Sequence, residues 1–362
     1  MVGSRIDVGL MGATGTVGLR LAEMLEAHPW FRLAEAGASA GSAGRRFGDA
    51  LADLGVEDTA LSDAVLDLEL REPDGEWEAG LLLSALPSDA AAPIERGLAV
   101  RGHLVVSNAS SHRMDPDVPL IIPEINPEHL ELLERQRRRW PGAIVTNPNC
   151  SVAGLAVALA PLHRAFGIEA ATAVTMQALS GAGRSEGLAE RVEDNILPYI
   201  PGEEEKIGLE AQKILGVLTG EGIRPAAFPV SAQAHRVPVS HGHLLAVSVK
   251  LEREATPEEA AAALSGFEPA LDVDLPSASH RLIEVLDERD RPQPRLDRDR
   301  GAGMTVSVGR VRRCEALDLK FSALVHNLVR GAAGAALLNA ELCRVRGLLG
   351  VGGVGAGRGA AP

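Results

Sequence analysis

A chain of 362 residues exceeds one compact core and, at roughly 150 residues per domain, points to about two domains. With 46% hydrophobic and 23% charged residues it reads as a folded soluble protein, which excludes wholesale disorder. A formal net charge of −13 leaves no basic face for neutralising phosphates and argues against a nucleic-acid partner.

No stretch reaches the roughly 18 uninterrupted apolar residues of a membrane span, so no membrane partner is expected. The N-terminus reads as strand and turn, not as a charged segment followed by an apolar one, and a cytoplasmic location is expected. Cys150, Cys314 and Cys343 are odd in number and unpaired in spacing, which suggests free thiols and neither a disulfide framework nor a metal site.

Residues 5–11 alternate toward an apolar strand, 12–18 break it, and 17–27 carry apolar residues at helical spacing. Residues 33–38, 81–86, 104–107 and 144–147 read as further buried strands, so residues 1–149 are expected to form an open parallel α/β sheet. The basic run 135–139 follows the periodic segment 129–133 and suits the solvated end of a helix.

After Cys150 the pattern changes. Residues 152–166 read as a long apolar helix, and 171–177, 244–251, 305–311 and 317–324 as strands, giving a mixed α+β domain over 150–327. Residues 287–303 read as an exposed loop. Residues 328–349 are expected to form a helix returning to the first domain, followed by a disordered Gly/Ala tail, 350–362.

Gly12, Thr14, Gly15, Thr16, Val17 and Gly18 lie between the first strand and helix, where glycines let a pyrophosphate approach the helix N-terminus. Taken alone, such a stretch is also an ordinary tight turn. Residues 37–46 lack the acid that holds ribose hydroxyls in NAD sites, while Ser39, Ser42 and a nearby Arg favour a 2′-phosphate, hence NADP.

Asn147-Pro148-Asn149-Cys150-Ser151 stands between a strand and an apolar helix, where the helix dipole favours a thiolate. A cysteine among apolar neighbours is equally read as a small core residue. Residues 203–206, Glu-Glu-Glu-Lys, read by themselves as a solvated face.

Segments 28–31, 107–114, 146–155, 174–183, 202–207, 231–239 and 326–334 resemble, in this order, the archaeal and fungal branch of the aspartate-semialdehyde dehydrogenase family. The resemblance runs from Ile6 to about Leu348. It implies a Rossmann-like NADP-binding domain joined to a catalytic and dimerisation domain. It also implies reduction of L-aspartyl 4-phosphate by NADPH through a thioester on Cys150, with a homodimer or homotetramer as the assembly.

By the same resemblance His243 is the acid/base, and Gln177 orients the acyl group. Arg113 and Lys206 bind phosphate, Arg236 the substrate carboxylate and Glu203 its amine, with Asn149 beside the substrate. Ser180, Gly181, Gly183 and Asn327 fall beside the nicotinamide, while Gly331 and Gly334 read as helix-packing positions. The chain has just four lysines, so one at position 206 is a pointed coincidence.

Ala40-Gly41 departs from the charged residues of many relatives and weakens the argument for NADP over NAD, while Arg184-Ser185-Glu186 and Leu244 depart from the family pattern near the substrate and leave room for another acyl donor such as malonyl-CoA or N-acetylglutamyl phosphate. A different class of reading, an NADP-binding regulatory protein without turnover, is opposed by the set Cys150, Gln177 and His243.

Overall fold

Ile6–Met11 forms strand β1, whose Val8, Leu10 and Met11 are fully buried. The computed structural model describes residues 5–56, 58–183 and 187–349. The divergent residues 184–186 and the tail 350–362 lie outside them.

Strands β2 (Phe31–Gly37), β3 (Leu70–Arg71), β4 (Leu81–Ser84), β5 (Leu104–Ser107) and β6 (Ala143–Thr146) complete a six-stranded sheet in the order β3-β2-β1-β4-β5-β6. Every pairing is parallel. Each residue of β4, β5 and β6 is buried, which is why these strands read as apolar runs, closed by Ser84, Ser107 or Thr146, and not as alternating ones. The two-residue edge strand β3 carries no such run and was not expected.

Strand order reverses between β1 and β4, which opens a crevice at their C-terminal ends. Gly12, at φ 76, leaves β1 there, and a Cβ on it would stand 2.6 Å from the Ala85 carbonyl oxygen. The turn after β1 therefore needs glycine both for its backbone angle and for this approach.

The second sheet is mixed. Its strands are β7 (Ile168–Gln177), β10 (Val230–Arg236), β11 (His243–Leu251), β12 (Ile283–Leu286), β13 (Val306–Arg313) and β14 (Leu319–Val325), in the order β10-β7-β11-β14-β13-β12. A separate hairpin joins β8 (Val217–Thr219) to β9 (Gly222–Arg224). The helix Cys150–Phe166, buried from Ser151 to Leu162, packs on one face of the second sheet, flanked there by the helices Glu203–Ile214, against β10, and Pro257–Ser265, against β12 and β13. The opposite face of the sheet carries Thr172, Val174, Met176, Leu244, Ala246 and Ser248, all less buried than their neighbours in the strands.

At the C-terminal end a π-helical turn, Val329–Ala333, leads into the helix Gly334–Val345. Leu337, Leu338 and Leu342 join the core of the first sheet beside Leu10 and Val106, so this helix packs on the first half of the chain. Two readings of the sequence need correction. Residues 287–303 are not simply an exposed loop, because Asp297 is 1% exposed and accepts hydrogen bonds from Arg291, Arg300 and the Gln293 amide. Arg135 is not merely solvated, since it donates to the Gly220 and Glu221 carbonyls at 2.6 and 2.9 Å and pins the β8–β9 turn.

Candidate active site

Two helices start at the C-terminal edge of the first sheet. After β1 the helix Thr16–Glu26 has Gly15 as its N-cap, with no side-chain cap. The amides of Thr16, Val17 and Gly18 have no protein partner among the described residues, so a bound anion meets open N–H groups.

After β6 the helix Cys150–Phe166 starts differently. Asn149 Oδ1 accepts from Ser151 N–H at 2.8 Å and from Val152 N–H at 3.4 Å, while Ala153 N–H bonds the Asn149 carbonyl. Cys150 N–H is thus the one amide of that turn left without a protein partner among the described residues. Asn149 spends the helix start on holding Cys150 in place.

Cys150 Sγ lies 3.2 Å from His243 Nε2. The Ala178 amide donates to His243 Nδ1 at 3.0 Å. An amide N–H only donates, so Nδ1 carries its lone pair and the proton of the neutral imidazole sits on Nε2, facing the sulfur. His243 is thereby set to donate toward Sγ or an oxygen formed beside it, and it accepts the thiol proton only by giving up the Ala178 bond. Burial, with the Arg236 charge next, drives the His243 pKa down to about 3 and keeps the ring neutral.

Burial, followed by the Glu203 carboxylate, pushes the Cys150 thiol up to about 12, against the opposing charges of Arg113 and Arg236. Burial and Glu203 both favour the neutral thiol and oppose the pull of the helix start toward a thiolate.

Polar side chains form a closed network around this pair. Glu203 Oε1 accepts from Asn149 Nδ2 at 2.7 Å and from Gln177 Nε2 at 2.9 Å. Arg236 Nη1 donates to the Ala178 carbonyl at 2.7 Å. Gly181 packs on this group so closely that a Cβ would lie 2.9 Å from both Arg236 Nη1 and His243 Nε2. Arg113, 7% exposed, bonds Glu210 and the Asn108 carbonyl.

A cleft of about 580 Å³ runs from the open helix start to the thiol. Its walls bring together Gly15, Thr16, Val17, Arg113, Asn149, Cys150, Ser180, Gly181, Gly183, Lys206 and Asn327. Gln177, Glu203, Arg236 and His243 are buried behind that wall: Glu203, with Gln177 bonded to it, reaches the wall through Asn149, His243 through Cys150, and Arg236 packs against Gly181. Asn327 ties the turn at Ser180 to the residue before β11, donating to Ser180 Oγ at 2.9 Å and accepting from Gly242 N–H at 2.8 Å.

Other predicted residues lie apart. Gly12 and Thr14 shape the turn without lining the cleft, and Ser39 and Ser42 sit in the turn after β2, outside it. Arg45 pairs with Asp53 at 2.7 Å and Arg46 with Asp49 and Asp67, so neither stands as a free cation.

The sequence reading missed Asn108 and Glu210. Gly331 is the helix-packing position expected: a Cβ on it would lie 2.6 Å from Cys150 Cβ, so the π-helical turn presses directly on Cys150.

Residues 7–133 match the family description "Semialdehyde dehydrogenase, NAD binding domain", and residues 159–330 match "Semialdehyde dehydrogenase, dimerisation domain". The chain is 46% identical to the aspartate-semialdehyde dehydrogenase of Archaeoglobus fulgidus, covering 93% of this chain and 98% of the relative. It is 40% identical to that of Candida albicans, over 94% and 98%. Among solved structures, the Candida albicans aspartate-semialdehyde dehydrogenase with NADP superposes with a TM-score of 0.87 at 39% identity, covering 95% of this chain and 100% of that one. The Vibrio cholerae aspartate-semialdehyde dehydrogenase II gives 0.74 at 26% identity, over 95% and 99%.

Proposed function

This chain belongs to the aspartate-semialdehyde dehydrogenase family, and from that membership we propose that it reduces L-aspartyl 4-phosphate to L-aspartate 4-semialdehyde with NADPH. The observation that carries the reading is the Cys150–His243 pair, 3.2 Å apart at the end of a cleft that begins on an open helix N-terminus.

Cys150 sulfur attacks the acyl carbonyl, the bond to phosphate breaks, and the thiol proton balances the phosphate released. NADPH, when bound, supplies the hydride. Thr16, Val17 and Gly18 amides would hold its pyrophosphate, with Ser180, Gly181, Gly183 and Asn327 beside its reactive end. His243 Nε2–H and Cys150 N–H are the donors available to the hemithioacetal oxyanion, which collapses to aldehyde and thiolate.

Arg113 and Lys206, both on the cleft wall, take the phosphate; Arg236 takes the substrate carboxylate and Glu203 its amine. Gln177, bonded to Glu203, orients the acyl group. We assign Ser39 and Ser42, at the C-terminal edge of β2, to the 2′-phosphate of the cofactor.

The protein works as a homodimer or homotetramer through the less buried face of the second sheet. We place it in the cytoplasm: its three thiols are free, and no helix among the described residues is long and apolar enough to cross a membrane. Purified protein mixed with aspartate semialdehyde, phosphate and NADP tests the reaction in reverse. NADPH formation that requires both phosphate and Cys150 supports the aspartyl substrate; no turnover despite NADP binding rejects it and redirects the search to other acyl donors.

A further inference from the structure

Glu210 lies two turns beyond Glu203 on the helix Glu203–Ile214 and has no part in the mechanism above. The residue is 1% exposed, yet its two carboxylate oxygens serve two different segments of chain. Oε1 accepts from Arg113 Nη1 at 2.9 Å, and Oε2 accepts from the Asn149 amide at 2.7 Å. Arg113 follows β5, and Asn149 caps the helix that bears the nucleophile, so one carboxylate bridges the two sides of the cleft floor.

The next turn of the same helix grips the same loop. Lys213 Nζ donates to the carbonyls of Arg113, Asp115 and Val118 at 2.6, 2.9 and 2.8 Å. Lys213 thus holds the backbone of the loop whose arginine side chain Glu210 holds. With Nη1 on Glu210 and Nη2 on the Asn108 carbonyl, the Arg113 guanidinium is fixed in plane and rotation, and Nε has no protein partner among the described residues.

We propose that Glu210 is a positioning residue that couples the anion-binding Arg113 to the turn carrying Cys150. The proposal rests on the phosphate-dependent reaction assigned above and deepens it. A carboxylate is required because both partners are donors. A glutamine of the same size offers one acceptor and one NH2 group, so in either orientation a donor faces a donor and one arm of the bridge is lost. A buried negative charge that merely offsets Arg113 and Lys213 would act through stability alone.

The test compares Glu210→Gln and Glu210→Asp with Glu341→Gln. Glu341 is an equally buried carboxylate that holds His28 Nε2 at 2.7 Å and Ser277 Oγ at 2.6 Å and lies outside the cleft. Kinetics are normalised to alkylatable Cys150, and phosphate binding is read separately as protection of Cys150 from iodoacetamide by inorganic phosphate.

Both Glu210 variants are expected to lose about tenfold or more in kcat/KM for phosphate and to need about tenfold more phosphate for half-protection. Glu341→Gln is expected to lower Tm while leaving both readouts within about twofold. Wild-type kinetics and protection in the Glu210 variants overturn the proposal, as does a loss shared equally by Glu341→Gln. Wild-type protein that fails to oxidise aspartate semialdehyde refutes the assigned reaction instead. The protection assay needs no turnover, and absence of phosphate protection in wild type also overturns the bridge.

Discussion

The helix after β1 and the helix after β6 leave the same edge of the same parallel sheet, and they use their N-termini in opposite ways. The first is capped by Gly15, with the amides of Thr16, Val17 and Gly18 free of partners among the described residues. The second is closed by Asn149, which takes the Ser151 and Val152 amides and leaves Cys150 N–H. In the proposed reaction the first end meets the negative charge of the cofactor. At the second, the Asn149 side chain fixes the turn that carries Cys150. A parallel sheet supplies the device, and the residue at the cap decides whether it binds or reacts.

The largest effect expected from separating the ends is on turnover. Cys150→Ala is predicted to lower turnover by about a thousandfold or more, while NADP affinity by titration stays near the wild-type value. A matching loss of NADP affinity would break the division of labour. Next comes Gly331→Ala, whose methyl group would stand 2.6 Å from Cys150 Cβ. Displacing the nucleophile should lower kcat by about a hundredfold. The counterpart at the other end is Gly18→Ala, whose Cβ would meet the Gly12 carbonyl oxygen at 2.0 Å. That variant is expected to weaken NADP binding while leaving alkylation of Cys150 intact.

The pH dependence sharpens the contrast further. With the thiol pushed up to about 12 and His243 driven down to about 3, the unliganded pair is a neutral thiol beside a neutral imidazole. Thiolate grows as pH rises toward the thiol pKa, so Cys150 alkylation should accelerate about tenfold per pH unit from neutral to mildly alkaline solution. A plateau above pH 6 would reveal a thiolate–imidazolium pair and contradict the Ala178-fixed ring. The smallest effect is on the cap itself. Asn149→Ala is expected to cost about 1 kcal/mol of stability, seen as a lower Tm, with NADP affinity unchanged.

Both helix starts were legible because each depends on local chemistry: glycines at 12, 15 and 18 after an apolar strand, and an asparagine-rich turn before an apolar helix. The first sheet was legible for the same reason, since β4, β5 and β6 each begin with three apolar residues and end on Ser84, Ser107 or Thr146. Strand β10 was hidden by its polar alternation, Val-Ser-Ala-Gln-Ala-His-Arg, which arises from the less buried face of its sheet. The helix Glu203–Ile214 was masked by three glutamates in its first turn. Glu210 was invisible as a bridge because its partners lie 61 and 97 residues away, and no local pattern encodes such closure. Ser39 and Ser42 show the reverse case, a motif readable in sequence that the fold sets outside the cleft wall.

In the proposed reaction Cys150 carries the acyl group. Protein given aspartate semialdehyde and NADP without phosphate should release a burst of NADPH equal to its content of Cys150. Mass spectrometry should then find one aspartyl group on the peptide that contains Cys150, discharged when phosphate is added. A burst with no acyl group on Cys150, or an acyl group that phosphate does not discharge, would contradict the account.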